Sequence, residues 1–144
     1  VNSIPFKCKP TDVWALAQRS DGQPVVGGSF TQLDDGTDAY YYGLTLLSGT
    51  YYQPDTNFKP IVGGQAAVAA LALQSDGKLI AGGSFFLANG AVRNGIARFA
   101  STGSLDDTFL SPFKAEEIVT SALVLSNGNL LAGGAFIDST TSLP

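Results

Sequence analysis

Three near-copies of one phrase constrain this chain more than any other feature. They run from Ala15 to Phe30 (ALAQRSDGQPVVGGSF), from Ala70 to Phe85 (ALALQSDGKLIAGGSF) and from Ala122 to Phe136 (ALVLSNGNLLAGGAF). Their Gly-Gly pairs begin at 27, 82 and 133, giving steps of 55 and 51 residues. Self-similarity at such a period is the signature of a repeat architecture, in which one supersecondary unit stacks on copies of itself. The copies absorb almost every conspicuous residue. The sequence therefore speaks about architecture and names no substrate.

Each copy opens with a compact apolar run: Val13 to Ala17, Val68 to Leu73, Ala122 to Leu125. Asp21-Gly22, Asp76-Gly77 and Asn127-Gly128 follow, and such pairs between apolar runs predict a hairpin with a type I′ turn. The return strands are Pro24-Val25-Val26, Leu79-Ile80-Ala81 and Leu130-Leu131-Ala132, each running into Gly-Gly. A third element, Gly43 to Leu47, recurs as Gly95 to Phe99, and a fourth, Asp55 to Phe58, recurs as Asp106 to Phe109. Phe6 lies 52 residues before Phe58 and reads as the tail of an earlier copy. The repeats are set at about 6–57, 58–108 and 109–144, the last cut short. They differ mainly in loop length, with three extra residues between Thr31 and Tyr42, as a repeated core allows.

The strands do not alternate cleanly between apolar and polar. Leu71 and Leu73 face one way and Ala70 and Ala72 the other, so the strand is covered on both faces. Four short strands in about 50 residues match a propeller blade, which is sandwiched between its neighbours. No stretch keeps a helical period. The expected fold is all-β and propeller-like: three repeats of four-stranded antiparallel sheet, the last incomplete.

Composition narrows the partners. The net charge is −4, and the eight Lys and Arg are scattered singly, so the chain has no basic footprint for nucleic acid. No window reaches the roughly 20 apolar residues that cross a bilayer as a helix, so no membrane insertion is expected. The chain has no His, which removes Ser-His-Asp and Cys-His catalysis and His-Cys zinc sites. Cys8 is the single cysteine, read as a thiol tucked beside the first strand. The chain opens at Val1 with no charged-then-apolar leader, so it is read as a processed or truncated piece.

The phrase ALALQSDGKLIAGGSF is followed by Asn89-Gly90, Arg93-Asn94, Ile96-Ala97-Arg98-Phe99, Gly103-Ser104-Leu105-Asp106 and Phe109. This series resembles the delta-60 repeat family of β-propeller modules. The second repeat matches nearly end to end. The first departs between Asp34 and Tyr52, and the third matches from Ala122 to Phe136 and stops. The resemblance implies a propeller within large bacterial or phage-associated surface and secreted proteins, with no shared catalytic residues to carry over.

Several groups invite chemistry and have a plainer reading beside it. Asp34, Asp35 and Asp38 around Gly36 could take calcium, but they lack the EF-hand spacing and its closing Glu, and a polar loop tip accounts for them. Asp106 and Asp107 could pair as acid and base, yet Asp106 has a counterpart in Asp55, which favours a turn or strand cap. The glycine pairs lack the helix and Lys of a phosphate loop and read as bulges or close sheet packing. Glu116 and Glu117, the two glutamates, would point to opposite faces of a strand. All five tyrosines, Tyr40, Tyr41, Tyr42, Tyr51 and Tyr52, fall in the divergent part of repeat 1. They are the candidate ligand or interface contacts, against a reading as packed blade-edge residues.

No catalytic, cofactor or metal residue is assigned. The expected role is a non-enzymatic structural or adhesive module of an extracellular, cell-surface or virion assembly. Its partners are other copies of itself or the rest of a larger propeller. A propeller binding glycan, peptide or a surface protein through rim loops is the alternative. A truncated repeat exposes a sheet edge, so the chain is not expected to be a free monomer. The segment from Val1 to Pro10 is expected to offer an orphan strand for head-to-tail strand addition.

Overall fold

The computed structural model describes residues 8–9, 12–33, 40–50, 52–64 and 67–137. All regular structure among them is β-strand, with every pairing antiparallel. The strands are β1 (Cys8–Lys9), β2 (Val13–Gln18), β3 (Pro24–Gly28), β4 (Gln32–Leu33), β5 (Leu44–Ser48), β6 (Gln53–Pro54), β7 (Val62–Gly63), β8 (Val68–Leu73), β9 (Leu79–Gly83), β10 (Leu87–Ala88), β11 (Ala91–Val92), β12 (Ile96–Phe99), β13 (Ile118–Val124) and β14 (Leu130–Ala135).

Three principal sheets follow the three copies. The first is four-stranded in the order β2-β3-β5-β6; the second is β8-β9-β12; the third is the hairpin β13-β14. A fourth strand was expected in repeat 2, but there it shrinks to one bridge between Phe99 and Leu105. Asp106 ends the ladder at that point. Its carboxylate accepts the amide of Thr108 at 3.0 Å and its carbonyl accepts the amide of Phe109 at 3.1 Å, so the backbone turns away. Two small sheets, β1-β4 and β7-β10-β11, lie alongside. Cys8 and Lys9 pair with Leu33 and Gln32 of the same chain, and the rest of the Val1 to Pro10 segment expected to offer an orphan strand lies outside the described residues.

The three hairpins share one turn, and it is not the expected type I′. Gly22, Gly77 and Gly128 have φ of 85°, 83° and 83°, while Asp21, Asp76 and Asn127 keep negative φ. The carboxamide or carboxylate of each accepts the amide two residues on, at 3.0 to 3.1 Å. This is a type I turn closed by a left-handed glycine, the three-residue hairpin loop.

The sheets stack in chain order, with β8 lying against β2 on one side and β13 on the other. The core between the first two sheets holds Val25, Leu44, Leu46, Phe58, Val68, Ala81 and Phe99, with Leu71 and Leu73 packed on it. The core between the second and third holds Ile80, Ile96 and Val119, with Ala72, Ala122 and Ala132. Sheet 2 is thus apolar on both faces because both are covered, as its lack of alternation predicts.

Candidate interaction surface

The two internal interfaces are built from one device. A Cβ placed on Gly27 would lie 2.7 Å from Val68 Cγ1, and one placed on Gly82 would lie 2.6 Å from Val119 Cγ1. Each valine methyl therefore occupies the space that a side chain on the preceding repeat's first glycine would fill. Val68 and Val119 are completely buried. The second glycine of each pair does different work. A Cβ on Gly28, Gly83 or Gly134 would come within 2.0, 1.9 and 1.9 Å of the carbonyl oxygens of Asp12, Ala67 and Ile118. These contacts sit where the ladder skips a residue, between Val13 and Ala15, Val68 and Ala70, and Val119 and Ser121. The glycine pair is therefore a packing socket followed by a bulge partner.

The sequence reading found the glycines and missed the valines. Val13, Val68 and Val119 recur at the same 55- and 51-residue steps as Gly27, Gly82 and Gly133, and that shared step is the signal that identifies them.

The stack exposes apolar residues on its outermost strands β2, β13 and β14, while Val26, Thr45 and Leu47 of the first sheet are buried. On the outer side of the first sheet, Val13 is 39% and Leu16 62% exposed, with Trp14 open beside them. On the outer side of the third, Leu123 is 56% and Leu131 59% exposed. Phe136 is also exposed and stacks on Phe113, with ring centroids 4.9 Å apart.

The tyrosine segment divides. Tyr41 is buried with Val26, Phe30 and Leu47, and Lys59 Nζ lies 5.7 Å from its ring centroid, so it is a packing residue. Tyr40 and Tyr42 are exposed and stack on one another at 6.0 Å with their planes 16° apart. Tyr52 is exposed, at a φ of 53°. Tyr51 lies outside the described residues, as do Phe6 and the acidic loop of Asp34, Asp35 and Asp38. Among the described residues no group of three or more Cys, Asp or Glu is placed to hold a metal, and no helix is long and apolar enough to cross a membrane.

The remaining polar motif residues are taken up by structural bonds. Asp106 meets Arg98 Nε at 2.9 Å and Lys78 Nζ at 3.0 Å. The hydroxyl of Thr108 donates to its carboxylate, and this bond, then Lys78, Thr108's amide and Arg98, holds the carboxyl well below the usual range against the opposing effect of burial. Asp107 instead pairs with Arg93 at 2.9 Å and stands 82% exposed, so the two aspartates do not converge. Asp55 Oδ1 accepts the amide of Asn57 at 2.8 Å, the same turn that Asp106 makes. Asn89 reaches back to accept the amide of Ile61 at 2.7 Å, and Asn94 reaches forward to donate to the carbonyl of Phe113 at 3.2 Å. The first ties its loop to the start of its own repeat, and the second ties its loop to the next repeat.

Glu116 and Glu117 lie on the turn before β13 rather than on a strand. Glu116 adopts a φ of 74°. Glu117 is buried and accepts the amides of Lys114 at 2.7 Å and Ile137 at 2.8 Å. Those two bonds, the Lys114 one first, lower its pKa.

A family model described as a beta-propeller domain of unknown function (DUF5122) matches residues 74–109, from the turn of the second hairpin to Phe109. That stretch is similar to a β-propeller repeat, and it holds Asn89, Arg93, Asn94, Arg98 and Asp106. No curated protein and no solved structure matches the chain.

Proposed function

We propose that this chain is a non-enzymatic structural or adhesive module of an extracellular, cell-surface or virion assembly. In this reading it comprises three propeller blades of the delta-60 kind, the last lacking its outer strands. Its work is done by blade-to-blade and subunit contacts. The observation that carries the reading is the use made of the conspicuous residues. The glycine pairs and valines build sheet-to-sheet packing, and Asp106, Arg98, Asn89 and Asn94 tie turns and loops together. What remains exposed and distinctive is apolar surface at the two ends of the stack, which is a property of an assembling part. Labelling intact source cells or particles with an antibody against the chain tests the placement. Surface labelling supports it, and labelling seen only after lysis refutes it.

A second reading has one observation of its own. Tyr40 and Tyr42 present a stacked aromatic pair to solvent, a platform suited to a sugar ring or an apolar peptide side chain. Glycan-array binding that disappears in Tyr40→Ala and Tyr42→Ala, while Tyr52→Ala retains it, would favour this reading. An array with no signal would remove the glycan part of it.

A further inference from the structure

We propose that the cavity between Phe86 and the turn from Lys114 to Glu117 is a binding site for a guanidinium group carried on an alkyl stem, with the Glu116 carboxylate as its counter-charge and the Phe86 ring as its platform. The cavity has a volume of about 410 Å³ and is lined by Ser84, Phe85, Phe86, Glu116, Glu117 and Ile118. It lies where β9 has ended and β13 begins, between the second and third sheets. Ser84 and Phe85 belong to the repeated phrase. Phe86, Glu116 and Glu117 do not. Counted back by the internal steps of 55 and 51 residues, they correspond to Thr31, Gln65 and Ala66. The chain's two glutamates and an exposed phenylalanine therefore line one cavity at one interface, and the architecture common to the repeats does not require them there.

The backbone marks Glu116. The amide of Glu117 donates to the carbonyl of Lys114 at 3.3 Å and closes a turn in which Glu116 is the third residue. Glu116 has a φ of 74°, while Ala115 keeps a negative φ. This is a type II turn, whose third position ordinarily takes glycine. A glutamate there is strained, and a strained residue persists only where its surroundings hold it. Glu117 does the holding. Its carboxylate accepts the amides of Lys114 and Ile137, and its carbonyl oxygen lies 2.8 Å from the point a Cβ on Gly95 would take. The side chain of Glu116 has no part in this. It is exposed, and among the described residues its carboxylate makes no hydrogen bond and no ion pair, with Lys114 included.

Phe86 supplies the other half of the site. Its side chain is 49% exposed, and its ring packs on Gly64, where any side chain would collide with it. The ring is thus backed by main chain and half open to solvent. An aromatic ring beside a carboxylate recognises a cation on an apolar stem. The chain makes the same combination inside its own fold. The guanidinium of Arg98 lies 4.9 Å from the ring centroid of Phe109 while its Nε meets Asp106 at 2.9 Å. A guanidinium suits the pair better than an ammonium, because it stacks on the ring and gives the carboxylate two parallel bonds. The net charge of −4 also favours a cationic ligand. The group can arrive on a free alkylguanidine or on an arginine side chain of a partner protein.

The probe is N-acetyl-arginine amide, titrated into the isotopically labelled chain at low, fixed ionic strength and followed by nuclear magnetic resonance at the amides of Phe86, Glu116 and Ile118. Those signals are expected to shift and saturate. The uncharged N-acetyl-citrulline amide should leave them in place, and N-acetyl-lysine amide should bind more weakly than the arginine probe. Glu116→Gln should weaken the arginine probe about tenfold and Phe86→Leu about threefold. Glu116→Gly guards against a purely structural role: freed of the positive φ, it should melt above wild type and still lose the probe. Propylguanidine and an end-blocked Gly-Arg-Gly tripeptide separate the two sources. Tighter binding of the tripeptide assigns the site to a partner polypeptide, and tighter binding of propylguanidine assigns it to a free guanidine. Signals that do not move, an equal response to the citrulline or lysine probe, or a titration unchanged in Glu116→Gln would overturn the site. A Glu116→Gly chain that melts below wild type would make Glu116 a structural residue instead. None of these results alters surface labelling of the module, so this site and the proposed function fail separately.

Discussion

A methyl group added at Gly82 probes the packing rule directly. Gly82→Ala would put its Cβ 2.6 Å from Val119 Cγ1 and 3.1 Å from Val119 Cβ. Val119 is β-branched, completely buried and held in the β13 ladder, so turning it about χ1 does not clear both contacts. Overpacking of this kind costs about 2 kcal/mol. For a chain of this size that lowers the melting temperature by roughly 4 to 8 °C. Val119→Ala alone removes two methyl groups at about 0.8 kcal/mol each plus a cavity term, giving about 2 to 3 kcal/mol. The double variant should cost less than the sum, because the new methyl at 82 enters the space that Val119 vacates. A favourable coupling of about 1 to 2 kcal/mol is expected, in the range found for residues in contact. Urea unfolding followed by far-ultraviolet circular dichroism, with unchanged m values, measures it. Repeating it at two protein concentrations separates folding from association. Strict additivity of the two substitutions would refute the socket-and-knob account of the interface.

Gly134→Ala should destabilise the fold by about 3 kcal/mol or more although Gly134 is exposed, because the clash is with the Ile118 carbonyl oxygen and main chain cannot step aside; a thermal melt unchanged from wild type would contradict the bulge assignment. Tyr41→Ala should cost about 3 kcal/mol or more in urea unfolding, whereas Tyr40→Ala and Tyr42→Ala should each stay within about 0.5 kcal/mol. Asp106 has a folded-state pKa below its unfolded value, so the stability it contributes is present at neutral pH and is lost as pH falls through the acid range. Melting temperatures of wild type and Asp106→Asn should therefore differ at neutral pH and converge on acidification; a constant gap would show that the ionised carboxylate is not what matters.

Much of the architecture was legible in the sequence because its causes are local. The 55- and 51-residue steps, the three Asx-Gly turns and the double-sided apolar strands each depend on residues a few positions apart. Together they specify stacked antiparallel hairpins. The turn class escaped for an equally local reason. Asp21, Asp76 and Asn127 spend their side chains on the amide two residues on, and only the glycine takes positive φ. The facing of β8 was harder to read, since the bulge after Val68 shifts the alternation by one residue. Val68 consequently joins Leu71 and Leu73 on one core instead of siding with Ala70.

What only the tertiary structure decided are the pairings between distant segments. Sequence gives Gly27 and Gly28 the same residue type, yet one is required by Val68 of the next repeat and the other by the carbonyl of Asp12 in its own hairpin. Five tyrosines looked alike, and only the packed fold puts Tyr41 inside while leaving Tyr40 and Tyr42 out. Glu117 looked like a strand residue until the amide of Ile137, 20 positions on, came within 2.8 Å of its carboxylate. In each case the deciding partner is remote along the chain, and no local spacing reports which surfaces will be pressed together when three similar sheets stack.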